Sequence, residues 1–297
     1  MSAWIYITIA AAFFQTIRSA LQKRLKGDLG TWGATAARFV YAAPLAVAFA
    51  TLLLVTSVDR PALPGQSFIA MVAVGATAQI VATALLIHLF SFRNFAVGTA
   101  LSKTEVIQTA LFGLIILGEG LSVWALLAVG ICMVGVFLIA LKTADVDGVS
   151  IFDPKARIGI ASGALFAVSA VCFRGASLSL GDGPALLRAS LTLAAALTLQ
   201  AIIMLIWLRA REPGRIGQLA AEWKVAGLVG LSGMLASVGW FTAMTLENAA
   251  YVRAVGQVEI IFTLAITHFY FRERLKALEW GGLALLTLGI LGVVLLG

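Results

Sequence analysis

Glu105 and Glu259 lie 154 residues apart, each inside a run of apolar residues. A carboxylate in such surroundings has two kinds of chemistry open to it. Desolvation raises its affinity for a proton, which suits it to proton uptake and release, and its charged form holds an amine. The structural alternative is a permanent ion pair that fixes helix packing. Four residues after each glutamate stands a threonine, Thr109 and Thr263, so a hydroxyl is expected on the same helical face as the carboxylate. Lys103 is two residues before Glu105, about 200° around a helix, and cannot pair closely with it along one face. The partners of both charges have to come from other helices.

The glutamates belong to an ungapped repeat. Asn94, Ala96, Ala100, Glu105, Thr109, Glu119, Leu121 and Gly135 recur as Asn248, Ala250, Ala254, Glu259, Thr263, Glu273, Leu275 and Gly289. Alanine and leucine matches arise by chance in so apolar a chain, whereas paired buried acids do not. The chain is 61% hydrophobic and 12% charged, with a mean hydropathy of +1.01. Soluble proteins average about 25% charged residues, so the composition places this chain in a bilayer.

Ten apolar runs can be drawn, over residues 3–21, 31–55, 68–90, 96–117, 121–141, 158–180, 184–208, 225–246, 249–271 and 277–296. Each is near the roughly 20 residues a spanning helix needs. The expected fold is an all-α membrane protein of ten transmembrane helices, with one five-helix repeat over residues 1–144, a linker over 145–157 and a second repeat over 158–297. An odd number of helices per repeat inverts the second copy in the membrane. The linker holds Asp145, Asp147, Gly148, Asp153 and Pro154 without the ligand spacing of a calcium loop, and reads as solvated. The first run lacks a basic leader and reads as a retained helix. Cys132 and Cys172 read as packing residues, with neither a disulfide framework nor a metal site indicated.

The formal charge of +7 follows the membrane and does not suggest nucleic acid. When loops are numbered by the helices they join, fourteen basic residues fall in odd loops, from Lys23, Arg24 and Lys26 to Arg272, Arg274 and Lys276, and only Arg60 in an even one. The positive-inside rule then makes the odd loops cytoplasmic and puts both termini on the outer face of an inner membrane. Trp4, Trp32, Trp124, Trp207, Trp223 and Trp280 fall near span ends as interfacial anchors.

Six cations remain inside the spans: Arg18, Arg38, Lys103, Arg174, Arg188 and Arg253. A lipid-facing charge costs about 2.5–3.5 kcal/mol, so these and the two glutamates must line a shared interior or lie near its ends. The topology puts Arg18, Arg38 and Lys103 in cytoplasmic halves and Arg174, Arg188 and Arg253 in outer halves. Each repeat is thus expected to set a basic cluster at its own face, with the glutamates deeper. Arg18, Arg174 and Arg188 can as readily snorkel or pair as bind a substrate. Arg38, Lys103 and Arg253 are the candidate anion contacts, and Trp240 and Tyr41 the candidate stacking surfaces, with core packing as the alternative for both aromatics. Two histidines, His88 and His268, lie near span ends, and a histidine is the side chain suited to proton exchange at physiological pH; His88 is the candidate for a proton pathway, and a structural hydrogen-bonded histidine is its alternative. Glu119 and Glu273, at helix junctions, are expected to stabilise the start of the following span.

The segments Leu117-Gly118-Glu119-Gly120-Leu121 and Phe271-Arg272-Glu273-Arg274-Leu275 are each followed by a glycine-bearing apolar helix. This pattern resembles the EamA-type repeat of the drug/metabolite transporter superfamily, over essentially the whole chain. Val106 and Ile260 stand where that family often carries a proline near the start of the fourth helix of each unit. The resemblance implies a secondary transporter working by alternating access, exporting amino acids or related metabolites, with protons as a coupling ion. The excess of buried cations favours an anionic or zwitterionic substrate. No nucleotide-binding or metal motif is present, so neither a cofactor nor enzymatic activity is expected. The expected partners are a small-molecule substrate, membrane lipids and protons, and both monomer and homodimer stay open. A lipid flippase or scramblase that grips phosphate headgroups is the alternative reading of the same charges.

Overall fold

The computed structural model describes residues 2–92, 96–143, 153–269 and 277–296 of the chain. Glu273, the loop cations Arg93, Arg272, Arg274 and Lys276, and the linker acids Asp145 and Asp147 lie outside the described residues, as does the side chain of His268. Among the described residues every element is a helix. Among the described residues, seven helices are long and apolar enough to cross a membrane by length and composition.

The first helix, α1, covers Ala3–Thr56 and is interrupted at Gly30, whose φ of 66° only glycine adopts readily. The chain folds back there. Gln22 Nε2 donates to the Ala34 carbonyl at 3.0 Å, so the segments on either side of the turn lie against each other. Two of the apolar runs are therefore joined in one 54-residue element. Next come α2 (Gln66–Leu89), α3 (Ala96–Ser102), α4 (Glu105–Phe112) with a π-turn over Gly113–Leu117, and α5 (Val123–Thr143). The second half holds α6 (Pro154–Leu178), α7 (Ala185–Arg211), the short α8 (Arg215–Ala221), α9 (Trp223–Leu246), α10 (Ala249–Val255), α11 (Val258–Phe269) and α12 (Ala277–Leu296). Asp153, one of the linker acids, caps α6 by accepting from the Lys155 amide at 2.8 Å, with Pro154 in the first helical position. Trp4 departs from the expected interfacial role: it is buried, where its carbonyl accepts from the Thr8 hydroxyl.

Loops segregate by number. At one end, Lys26 Nζ reaches Ser91 Oγ at 2.6 Å, Lys155 approaches the Phe92 ring and Arg215 lies against Gly33. At the other end, the Ala62 amide bonds the Leu180 carbonyl at 2.8 Å, and Ser122 Oγ reaches the Leu296 carbonyl. The even loops gather at the end opposite the basic ones.

The fourth apolar run of each half is broken, with no proline at either break. Between α3 and α4, and again between α10 and α11, amides turn to carbonyls three residues back instead of four. Lys103 N bonds Ala100 O and Val106 N bonds Lys103 O; Gln257 N bonds Ala254 O and Ile260 N bonds Gln257 O. These residues correspond one to one in the repeat. The breaks are seated by glycines on neighbouring helices or in the break itself. A Cβ on Gly163 of α6 would sit 2.7 Å from the Ser102 carbonyl, and one on Gly256 would sit 2.8 Å from Cζ3 of the Trp240 indole.

Candidate functional site

Both glutamates stand in the first turn after a break, Glu105 opening α4 and Glu259 near the start of α11. Their partners come from the opposite half. Lys103 pairs with Glu259, and Arg253 Nη1 lies 3.8 Å from Glu105 Oε1. The cation at each break thus faces the carboxylate of the other, as the angular separation of Lys103 and Glu105 requires.

A chain of polar contacts joins the two pairs. Gln15 of α1 donates through Nε2 to Glu259 Oε2 at 2.6 Å and accepts at Oε1 from Trp240 Nε1 at 3.0 Å. The Arg253 guanidinium lies over the Trp240 ring, 5.0 Å from its centroid, a cation–π contact. Lys103, Glu259, Gln15, Trp240, Arg253 and Glu105 form one continuous network through α1, α9 and both breaks. Gln15 carries this link, and the sequence reading passed over it. Its signal is an amide within the apolar run Phe13-Phe14-Gln15-Thr16-Ile17, a polar group that needs a partner in a bilayer.

Several expectations need correction. Arg253 does not join a separate outer cluster with Arg174 and Arg188. Because α10 is only seven residues long, Arg253 lies within a turn of the break and shares the centre with Lys103, Arg18 and Arg38. The threonine hydroxyls make backbone hydrogen bonds: Thr109 Oγ1 donates to the Glu105 carbonyl at 2.6 Å and Thr263 Oγ1 to the Glu259 carbonyl at 2.9 Å. Donation to the carbonyl four residues back is the usual helical geometry of threonine. Tyr41 sits away from the network, its hydroxyl donating to the Leu219 carbonyl of α8 at 3.0 Å. His88 is exposed at the basic end and stacks edge-on with Phe92. It lines a cavity of about 410 Å³ with Trp32 and Glu212, separate from the glutamates.

Arg174 takes the pairing alternative, and its partner is Glu119. Arg174 Nε lies 2.8 Å from Glu119 Oε2, and Nη1 donates at 2.5 Å to the carbonyls of Met244 and Glu247 at the end of α9. The guanidinium clamps the loop after the π-turn to a helix C-terminus, where a cation is favoured. Arg174→Ala is expected to cost about 1.5–3 kcal/mol, the range for hydrogen bonds to charged groups, read as a lower unfolding temperature in detergent. Transport should survive in the protein that stays folded.

A family model described as the EamA-like transporter family matches residues 2–141 and 158–295, one match in each half. The chain belongs to the EamA-like transporter family. It is accordingly a multi-pass integral membrane protein of a transporter family, built from two EamA units. A solved crystal structure matches this EamA-like chain over 100% of its length and 99% of the other chain, at 16% identity and a TM-score of 0.69, and shows that the fold is shared. No curated protein matches it.

Proposed function

We propose that this chain is a secondary transporter that moves a small anionic or zwitterionic metabolite, an amino acid or related compound, by alternating access with proton-coupled export. The carrying observation is the crossed pairing at the two breaks, Lys103 with Glu259 and Arg253 with Glu105. Discontinuous helices whose ends meet at mid-depth expose backbone and side-chain polar groups to a bound solute. Pairs formed between halves can separate when the halves move, whereas pairs within a half would move together.

In this reading α1 spans twice, α3 with α4 and α10 with α11 each make one broken span, and α2, α5, α6, α7, α9 and α12 one each, giving ten. The two units, residues 1–144 and 158–297, are inverted relative to each other. The positive-inside rule puts the basic end in the cytoplasm of an inner membrane and both termini outside. Glu105 and Glu259 alternate between holding their cations and holding a proton or the substrate's amine.

The test is a substrate panel in proteoliposomes, with and without a pH gradient, comparing the wild type with Glu105→Gln and Glu259→Gln. At least a tenfold loss of gradient-driven flux is expected in each variant. If both carry substrate as fast as the wild type at every pH, the acids have no part in coupling.

A further inference from the structure

The two acids at the centre are already matched, which leaves a surplus of charge with a definite location. Arg18 and Arg38, from the two arms of the α1 hairpin, are both only 5% exposed. They meet at Gly233 of α9, where a Cβ would lie 3.3 Å from Arg18 Cδ and 3.7 Å from Arg38 Cγ. Among the described residues no carboxylate lies within salt-bridge distance of either. Arg38 donates through Nη1 to Thr83 Oγ1 at 2.9 Å, while the buried Nε of Arg18 has no partner among the described residues.

Two buried guanidiniums repel each other and each bears a desolvation cost, so without a counter-anion the arrangement is unfavourable. Lys103 and Arg253 cannot relieve it, since they are cations and each already faces a glutamate. Guanidinium donors recognise a planar or tetrahedral oxyanion through paired hydrogen bonds, and Thr83 adds a hydroxyl on the same side as Arg38. The missing side chain at Gly233 leaves room for the stems of both arginines to approach the same point of α9.

We propose that Arg18 and Arg38, with Thr83, bind the oxyanion group of the transported molecule, a carboxylate or a phosphate. This rests on the transporter reading and refines it: the anion anchor is this pair, and the neighbouring Glu259–Gln15–Trp240–Arg253 contacts receive the rest of the substrate. Arg18 becomes a binding residue, and Lys103 and Arg253 act as counter-ions to the glutamates.

The test is a binding titration independent of flux. Protein in phosphatidylcholine nanodiscs is titrated with sodium phosphate, sodium glutamate or sodium chloride at constant ionic strength, and its unfolding temperature is followed. Phosphate or glutamate should raise that temperature saturably and chloride should not. Arg18→Gln and Arg38→Gln should each weaken the apparent Kd at least tenfold, and Thr83→Val by a smaller factor. In chloride the two arginine variants should unfold no lower than the wild type, because each removes an unpaired buried charge; a purely structural arginine would give a clear fall. Arg188→Gln, at a residue bonded to the Gly181 loop carbonyl, should titrate like the wild type.

A wild type indifferent to both oxyanions, or arginine variants that respond as the wild type does, overturns the site. Phosphatidylglycerol in the nanodisc that competes with phosphate keeps the site and assigns it to a lipid headgroup. Flux measured in parallel separates the two readings. Arginine-dependent binding with no flux of any substrate leaves the site standing and removes the transporter reading. Flux untouched by either arginine variant does the reverse.

Discussion

Glu259→Gln is expected to lower stability by about 3 kcal/mol, the lower end of the range for removing one partner of a buried ion pair. The lower end applies because the Lys103 and Glu259 side chains keep 19% and 14% of their exposure, which lets solvent screen part of the charge left behind. The amide can still accept from Gln15, so the polar chain to Trp240 is bent and not cut. The double variant Lys103→Met/Glu259→Gln should recover most of the loss, since neither charge then remains unpaired. Thermal unfolding in nanodiscs, followed by tryptophan fluorescence, gives the coupling energy through a double-mutant cycle. Transport separates the two roles open to this glutamate. A pair that only locks the helices predicts that the double variant regains flux together with stability. A glutamate that carries a proton or an amine predicts regained stability without flux, and that is the outcome expected here.

What the sequence revealed of this centre, and what it hid, follows from the physics of each residue. Glu105 and Glu259 were legible because an acid in an apolar run has few explanations, and their fixed offset tied them to a duplication. The need for partners from other helices followed from the 3.6-residue period alone. The depth of Arg253 was not legible. Hydropathy reads residues 249–271 as one span with Arg253 several residues inside its outer half, whereas the break at Gly256–Gln257 brings it to the centre. No proline announces that break, and the packing of its own glycine, Gly256, against the Trp240 ring is visible only in three dimensions. The same gap accounts for the count of spans. Ten runs appear as seven long apolar helices because Gly30 joins two of them, α10 and α11 divide another, and only a shorter apolar stretch of α5, Val123–Ile139, qualifies among the described residues. Arg174 and Glu119 were separable only in three dimensions, because their pairing joins residues 55 apart that sequence gives no reason to associate.

The second large effect is expected at two uncharged residues, Gly135 and Gly289. These are corresponding residues of the repeat, and each is pressed against the opposite helix of the α5–α12 pair. A Cβ on Gly135 would sit 2.6 Å from the Gly282 carbonyl oxygen and 2.9 Å from Leu286 Cα; one on Gly289 would sit 2.6 Å from Cys132 Cα. The obstructing atoms are backbone, so no rotamer change can make room, and the helices would have to separate. In a bilayer such close approach is what holds helices together, because lipid tails compete equally well for larger apolar side chains. Gly135→Leu or Gly289→Leu should therefore cost more than the usual 1–3 kcal/mol of an overpacked core, and the protein should be recovered from membranes at a small fraction of the wild-type yield. Gly130→Leu, on the same helix at a position where a Cβ meets nothing within 4 Å, is the matched control and should leave yield and unfolding temperature near the wild type. Equal yields from the three variants would mean that α5 and α12 do not meet along this seam. Because the two glycines are repeat partners on two helices that face each other, the seam marks where one unit meets the other.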